Sequence, residues 1–176
     1  MSAIDLWLTA QVVGAIAIAV SYGAMLLSND KMHVKGTAAG ALIDAVHWLL
    51  LAAYTGAVLA FLIAIRMLVS LNNDYRKIIT SVVFSVLFVF VSLLTWENIY
   101  SFLPMSGTVI ATFAYFHSSR IALRWWLIVC NIPWIIYSVH VDSFPGVFAG
   151  VIAVALLGIA ILKIKRLDTH EPIPGR

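Results

Sequence analysis

Apolar residues in this chain run in long stretches separated by short polar breaks, near 6–28, 36–54, 56–73, 78–95, 99–117, 121–139 and 144–162. Crossing ~30 Å of hydrocarbon as a helix takes ~20 apolar residues, and each stretch comes close to that length. Transmembrane β-strands would instead alternate apolar and polar residues over segments of ~10. The pattern predicts an all-α, polytopic membrane protein with seven transmembrane helices.

The breaks differ in charge. No Lys or Arg precedes Lys31. Lys31 and Lys35, Arg66, Arg76 and Lys77, Arg120 and Arg124, and Lys163, Lys165, Arg166 and Arg176 then arrive in clusters. Between the clusters the connecting segments carry Asp5, Glu97 and Asp142 and no base. Cytoplasmic loops retain Lys and Arg, so this alternation predicts an N-terminus outside and inside loops at 29–35, 74–77 and 118–120. Outside loops fall near 55, 96–98 and 140–143, and the C-terminus is cytoplasmic. Tyr54, Trp96, Tyr100 and Tyr137 sit at the expected outer boundary, and Trp125 and Trp126 nearer the inner one, where amphipathic rings favour headgroup depth.

Composition agrees with lipid as the main partner. The chain is 62% hydrophobic and 11% charged with a mean hydropathy of +1.01, more apolar surface than a soluble domain of its 176 residues buries. The net charge of +3 does not imply nucleic acid, because the bases stand at helix ends in ones, twos and threes. Asp5, with no base beside it, precedes the first stretch, which therefore lacks the positive n-region of a cleaved signal peptide and is expected to remain as a helix. Cys130 is single, excluding an intramolecular disulfide or a cysteine zinc site. His33 and His117 fall at the inner edge, His140 at the outer edge and His47 near the middle, so no metal site or haem ligation is expected. No nucleophile stands with a base at one depth and no ATP-binding loop exists, so neither enzyme chemistry, catalytic residues nor a cofactor is expected.

The stretches also suggest a duplicated unit. Gly14 precedes Tyr22 as Gly107 precedes Tyr115; Trp48 and Trp134 lie toward the outer ends of their helices; tight turns follow near Gly56 and Gly146. A three-helix bundle over 1–73, a linker helix within 74–98 and a second three-helix bundle over 99–166 give a 3+1+3 arrangement of parallel repeats. Residues 167–176 are expected to form a flexible cytoplasmic tail. Parallel repeats characterise transporters whose solute site lies between the repeats at the bilayer midplane.

Polar residues inside the stretches are the candidate site. Arg66 and Asp44 each lie ten residues from the turn joining their helices, so both are expected ~15 Å deep. Opposite charges at that depth can offset each other as a fixed structural pair, or line a polar cavity that binds solute or proton; Arg66 can also snorkel inward. His47, three residues after Asp44, shares its helical face and offers a group that titrates near neutral pH. Asn131 and Trp134 occupy the corresponding helix of the second bundle, and Gln11 gives the first helix a polar group. Pro133 and Pro104 each remove a backbone hydrogen bond and are hinge candidates. Substrate binding is assigned to Arg66, Asp44, His47, Asn131, Trp134 and Gln11. Gly36 with Gly40 and Gly146 with Gly150 are spaced for close helix contact.

With these residues in view the chain resembles the YgjV-type family of bacterial inner-membrane proteins. The resemblance runs from Gln11 to about Arg166. It rests on Val46-His47, on Ala64-Ile65-Arg66 followed by Leu68 and Leu71, on Leu103-Pro104 with Gly107-Thr108, and on Trp134-Ile135. It implies a multi-pass protein of the bacterial inner membrane, here with a periplasmic N-terminus. The 3+1+3 arrangement is also similar to that of the SWEET sugar facilitators and PnuC vitamin transporters. The SWEET-type proline hinges do not carry over to the first bundle, since no proline precedes Pro104.

Two functions remain open. The first is a facilitator or proton-coupled carrier of a small polar solute, whose two bundles rock around a central site. The alternative is a non-transporting membrane partner or sensor whose buried polar residues serve packing. Association into an oligomer is compatible with either.

Overall fold

The computed structural model describes residues 2–27, 29–71, 77–118 and 120–170. The break containing Arg76 and the end of the expected tail, with Pro172 and Pro174, lie outside the described residues. So do the side chains of Lys77, Tyr115, His117, Arg120 and Lys165 and those of residues 167–170.

Among the described residues the chain forms seven α-helices and no strand. Helix α1 (Ala3–Met25) starts at a capping box in which the Ser2 hydroxyl accepts from Asp5 N and the Asp5 carboxylate accepts from Ser2 N. Helix α2 (Asp30–Leu50) starts at Asn29, whose side chain accepts from the amides of Lys31 and Met32. That cap places Lys31 and Lys35 in a helix, correcting the loop expected over 29–35. Helices α3 (Tyr54–Ser70) and α4 (Lys77–Leu94) follow, then a 3₁₀ turn, Ile99–Ser101, leading into α5 (Phe102–His117). Helix α6 (Arg120–His140) precedes α7 (Phe144–His170), which runs four residues into the stretch expected as a tail.

Three helical segments, Ala3–Ala24, Ile121–His140 and Phe144–Ile164, are long and apolar enough to cross a membrane; Tyr54–Ser70, Ile78–Leu94 and Ile99–Ala114 are apolar but shorter. Burial is inverted relative to a water-soluble protein. On α4, Ile78, Ile79, Val82, Val83 and Val86 are exposed while Thr80, Ser81, Ser85 and Ser92 are buried.

Helix α2 packs on α1 and α3, and α6 packs on α5 and α7, so the middle helix of each group of three joins its neighbours. Helix α4 bridges α3 and α5. The two groups also meet directly, α1 against α7 and α3 against α5. Gly40 permits the α1–α2 approach, since a Cβ there would run into the Ser21 side chain, and Gly150 does the same for α7 against Ile135 of α6.

The turns that close α2 and α6 are alike. Ala53 N donates to Trp48 O at 3.0 Å, and Ser143 N donates to Ser138 O at 2.9 Å. The φ angles of Ala52 and Asp142 are 55° and 53°, in the left-handed region. Corresponding atoms stand 90 residues apart throughout both turns, as do the helix limits Asp30 with Arg120 and Leu50 with His140. In this register Trp48 matches Ser138, and Asp44 matches Trp134. The matching of Trp48 with Trp134 read from the sequence is corrected by one helical turn.

Candidate functional site

A partly open cavity of about 320 Å³ lies among α1, α2, α3, α6 and α7, and so draws its wall from both groups of three. Asp44 and Trp48 of α2, Arg66 of α3, and Asn131, Trp134 and Ser138 of α6 all face it. Ser21 and Tyr22 add hydroxyls from α1, and Thr37 another from α2. Four of the six binding residues expected from sequence are therefore brought together: Asp44, Arg66, Asn131 and Trp134.

The helical period explains how Asp44 is held. Trp48 follows it by one turn, so the two side chains share a face, and Trp48 Nε1 donates to Asp44 Oδ2 at 2.8 Å. Trp48 is fully buried, packed 5.9 Å from the ring of Trp134 and 5.6 Å from that of Tyr137. These three rings join the middle helices of the two groups. Trp48 is expected from the sequence only as a ring on which a solute could stack, and Tyr137 only as a boundary ring; the four-residue spacing of Asp44 and Trp48 is the signal for their hydrogen bond.

Arg66 is buried and turns toward α5, where Nη1 donates to Thr112 Oγ1 at 2.6 Å. The Thr112 hydroxyl in turn donates to Thr108 O at 2.8 Å, and the guanidinium carbon lies 6.0 Å from the centre of the Phe88 ring. Asp44 and Arg66 thus make separate hydrogen bonds and not the ion pair that equal depth suggested. Depth fixes how far along the helix a residue sits; the direction of its side chain depends on rotation about the axis.

His47 and Gln11 do not line the cavity. The Ala10 carbonyl can only accept, so His47 Nδ1 carries the proton and donates to it at 2.7 Å, which leaves Nε2 to accept from Ser143 Oγ at 2.7 Å. Gln11 Nε2 donates to Asp142 O at 3.0 Å while its Oε1 accepts from Phe144 N at 3.1 Å. Both residues fasten the first group of three to the turn before α7. Of the hinge candidates, Pro133 is inside α6 and leaves the Val129 carbonyl without its helical donor. Pro104 is buried in the first turn of α5, where a missing N–H costs little.

A second depression, about 530 Å³ and almost wholly apolar, runs along α1 and α7 between Gln11, Phe144, Phe148 and Val151. Ile18 and Pro145 line both it and the polar cavity. Among the described residues no three His, Cys, Asp or Glu side chains gather as metal ligands.

The residues that carry this architecture also match a known family: the profile of Imp-YgjV, described as a bacterial inner membrane protein, covers residues 8–168. The chain belongs to the Imp-YgjV family. Over 164 residues it is 26% identical to the inner membrane protein YgjV of Escherichia coli (strain K12), which takes in 92% of this chain and 87% of that one. No solved structure matches the chain. Like its family, this Imp-YgjV protein is a bacterial inner membrane protein, in contact with the lipid bilayer.

Proposed function

We propose that this chain carries a small polar solute across the bacterial inner membrane, as a facilitator or a proton-coupled carrier. One observation carries the reading: the cavity is shared by helices of both groups of three and concentrates Asp44, Arg66, Asn131 and Trp134 in an otherwise apolar molecule. Burying such groups without a use is costly, and intramembrane ionisable residues mark solute or ion pathways. A sealed interior in which the two charges satisfied each other would have favoured a packing or sensor role.

The same reading takes the chain across the bilayer seven times, as two parallel three-helix repeats joined by α4. The 90-residue shift between its two turns supports the duplication. The pairing of contacts, α1 with α7 and α3 with α5, is what a two-fold relation between the repeats generates. The basic clusters support a periplasmic N-terminus and a cytoplasmic C-terminus. Hydrogen bonds between the groups are concentrated near the α2–α3 and α6–α7 turns, which this topology puts outside. The cavity reaches from Trp48 and Pro145 toward Tyr22, Thr37 and Met67, which lie nearer the helix ends that this topology puts inside. Chemistry on the solute is not part of the proposal; the side chains serve binding.

The test is thermal unfolding of the detergent-purified protein with sugars, nucleosides, vitamins, amino acids and organic anions, repeated for Arg66→Ala and Asn131→Ala. A ligand at 100 times its Kd adds only ~2.7 kcal/mol, so concentrations must reach tens of millimolar. A shift confined to one chemical class and lost in the variants is expected. A well-folded protein that responds to nothing would favour the partner or sensor role.

A further inference from the structure

On the α2 and α6 walls of the cavity the free hydrogen-bonding capacity is weighted toward acceptors. Asp44 Oδ2 takes the Trp48 N–H, and Oδ1 takes no hydrogen bond among the described residues. Asn131 Nδ2 donates to Leu127 O at 2.7 Å; only the amide nitrogen can serve a carbonyl, so Oδ1 is the oxygen left over, and it too accepts nothing among the described residues. Three hydroxyl protons around them are committed elsewhere, Tyr22 donating to Ala149 O at 2.9 Å, Thr37 to His33 O at 2.9 Å and Ser138 to Trp134 O at 2.7 Å, while the Ser21 hydroxyl of α1 makes no hydrogen bond among the described residues. Trp48 and Trp134 add flat aromatic walls, whose faces attract cations.

We infer that the cavity takes a small solute bearing a protonated amine, held by the carboxylate of Asp44 and the amide oxygen of Asn131 against the two tryptophan rings. This names the substrate class of the site proposed above and rests on that reading. An ammonium group donates three hydrogen bonds and accepts none, the complement of two unused oxygens, and its bond to a carboxylate is charge-assisted. A carboxylate would bring only acceptor oxygens to these two, and a sugar hydroxyl could donate to them but without the charge of an ammonium, so its bond to Asp44 is the weaker one. Arg66 enters differently. Its bond to Thr112 points it toward α5, which contributes nothing to the cavity wall, while the residue itself lines that wall. An amine that also carries a carboxylate can therefore use both walls, whereas a simple amine uses Asp44 and Asn131 alone.

Phenylethylamine, phenylalanine and 3-phenylpropionate separate these cases, because they share a ring and chain and carry respectively an amine, both groups, and a carboxylate. Binding to the purified full chain is read by titration calorimetry in lipid nanodiscs. At least one of the two amines is expected to bind, and phenylpropionate is not. Asp44→Asn weakens amine binding by about tenfold or more, the loss of one charge-assisted bond. This variant folds, because its amide oxygen still accepts from Trp48, and an unchanged melting temperature without ligand checks that. Asn131→Leu weakens binding less. Phenylethylamine binding marks a simple cation; phenylalanine alone, lost again in Arg66→Gln, marks a zwitterion. The inference is overturned if phenylpropionate binds as well as the amines, or if Asp44→Asn binds amines like the unmodified chain. Should both amines fail while sugars or organic anions bind, the amine class falls and the transport site stands. Silence across every class removes both.

Discussion

Gln11 and Glu97 perform the same task on opposite sides of the molecule. The first amide of α7, Phe144 N, donates to Gln11 Oε1, and the first amide of α3, Tyr54 N, donates to Glu97 Oε1. Tyr54 and Phe144 stand 90 residues apart, so matched helices are each capped from the segment that opens the other group of three. Helix α3 has no side-chain cap of its own, since Ala53 precedes it, whereas the Ser143 hydroxyl that precedes α7 already accepts from Gly146 N while donating to His47, so Gln11 adds a second cap there. Replacing either residue by Ala should cost about 1 kcal/mol, the usual worth of a cap, read as a lower unfolding temperature in detergent. Glu97→Gln should keep most of that stability, because the acceptor oxygen survives. Glu97→Ala that melts like the unmodified protein would remove this account.

Gly14 tests the seam between α1, α2 and α7. A Cβ there would lie 2.8 Å from His47 Nδ1 and 2.9 Å from Pro145 Cβ, on a buried ring already held by two hydrogen bonds. Gly14→Ala should therefore destabilise by about 1–3 kcal/mol, the range for overpacking. Gly23→Ala, with nothing within 4 Å, serves as the control and should be neutral or slightly stabilising. Equal behaviour of the two variants in thermal unfolding would contradict the seam.

Ala52 adopts a left-handed conformation that its Cβ disfavours. Ala52→Gly should raise stability by up to about 1 kcal/mol. The same change at Asp142 should gain less, since Asp tolerates that region better. Chemical or thermal unfolding of both variants ranks them directly.

Water access to the cavity is checked by cysteine chemistry. Cys130 is buried and has to be replaced by Ala first. On that background Asn131→Cys should react with a small charged thiosulfonate far faster than Phe88→Cys, since Phe88 of α4 is fully buried against α3 and α5. Comparable rates would mean that the cavity is not hydrated.

The helices were readable because an apolar run of spanning length is a coarse, redundant signal; each run found its helix with limits moved by up to eight residues. Errors concentrate where one polar side chain decides. Asn29 starts α2 earlier than the charges of Lys31 and Lys35 suggested. Asp44, Arg66, Asn131 and Trp134 converge because mid-depth residues on inward faces have few places to go. Rotation about the axis was not readable: it sends Asp44 to Trp48, Arg66 to Thr112, and the ring of His47 to Ala10 and Ser143. Gly56 and Gly146 pointed to two like turns, but the 90-residue shift between those turns came from their backbone, which tryptophan positions do not report.

Ile18 and Pro145 each present one surface to the polar cavity and another to the apolar groove along α1 and α7. A single layer of side chains therefore separates the polar cavity from the apolar groove. The fit of these two side chains keeps the two spaces apart. Shortening Ile18 to Ala would join the two spaces, so that an apolar chain lying in the groove could reach the wall formed by Asp44 and Asn131.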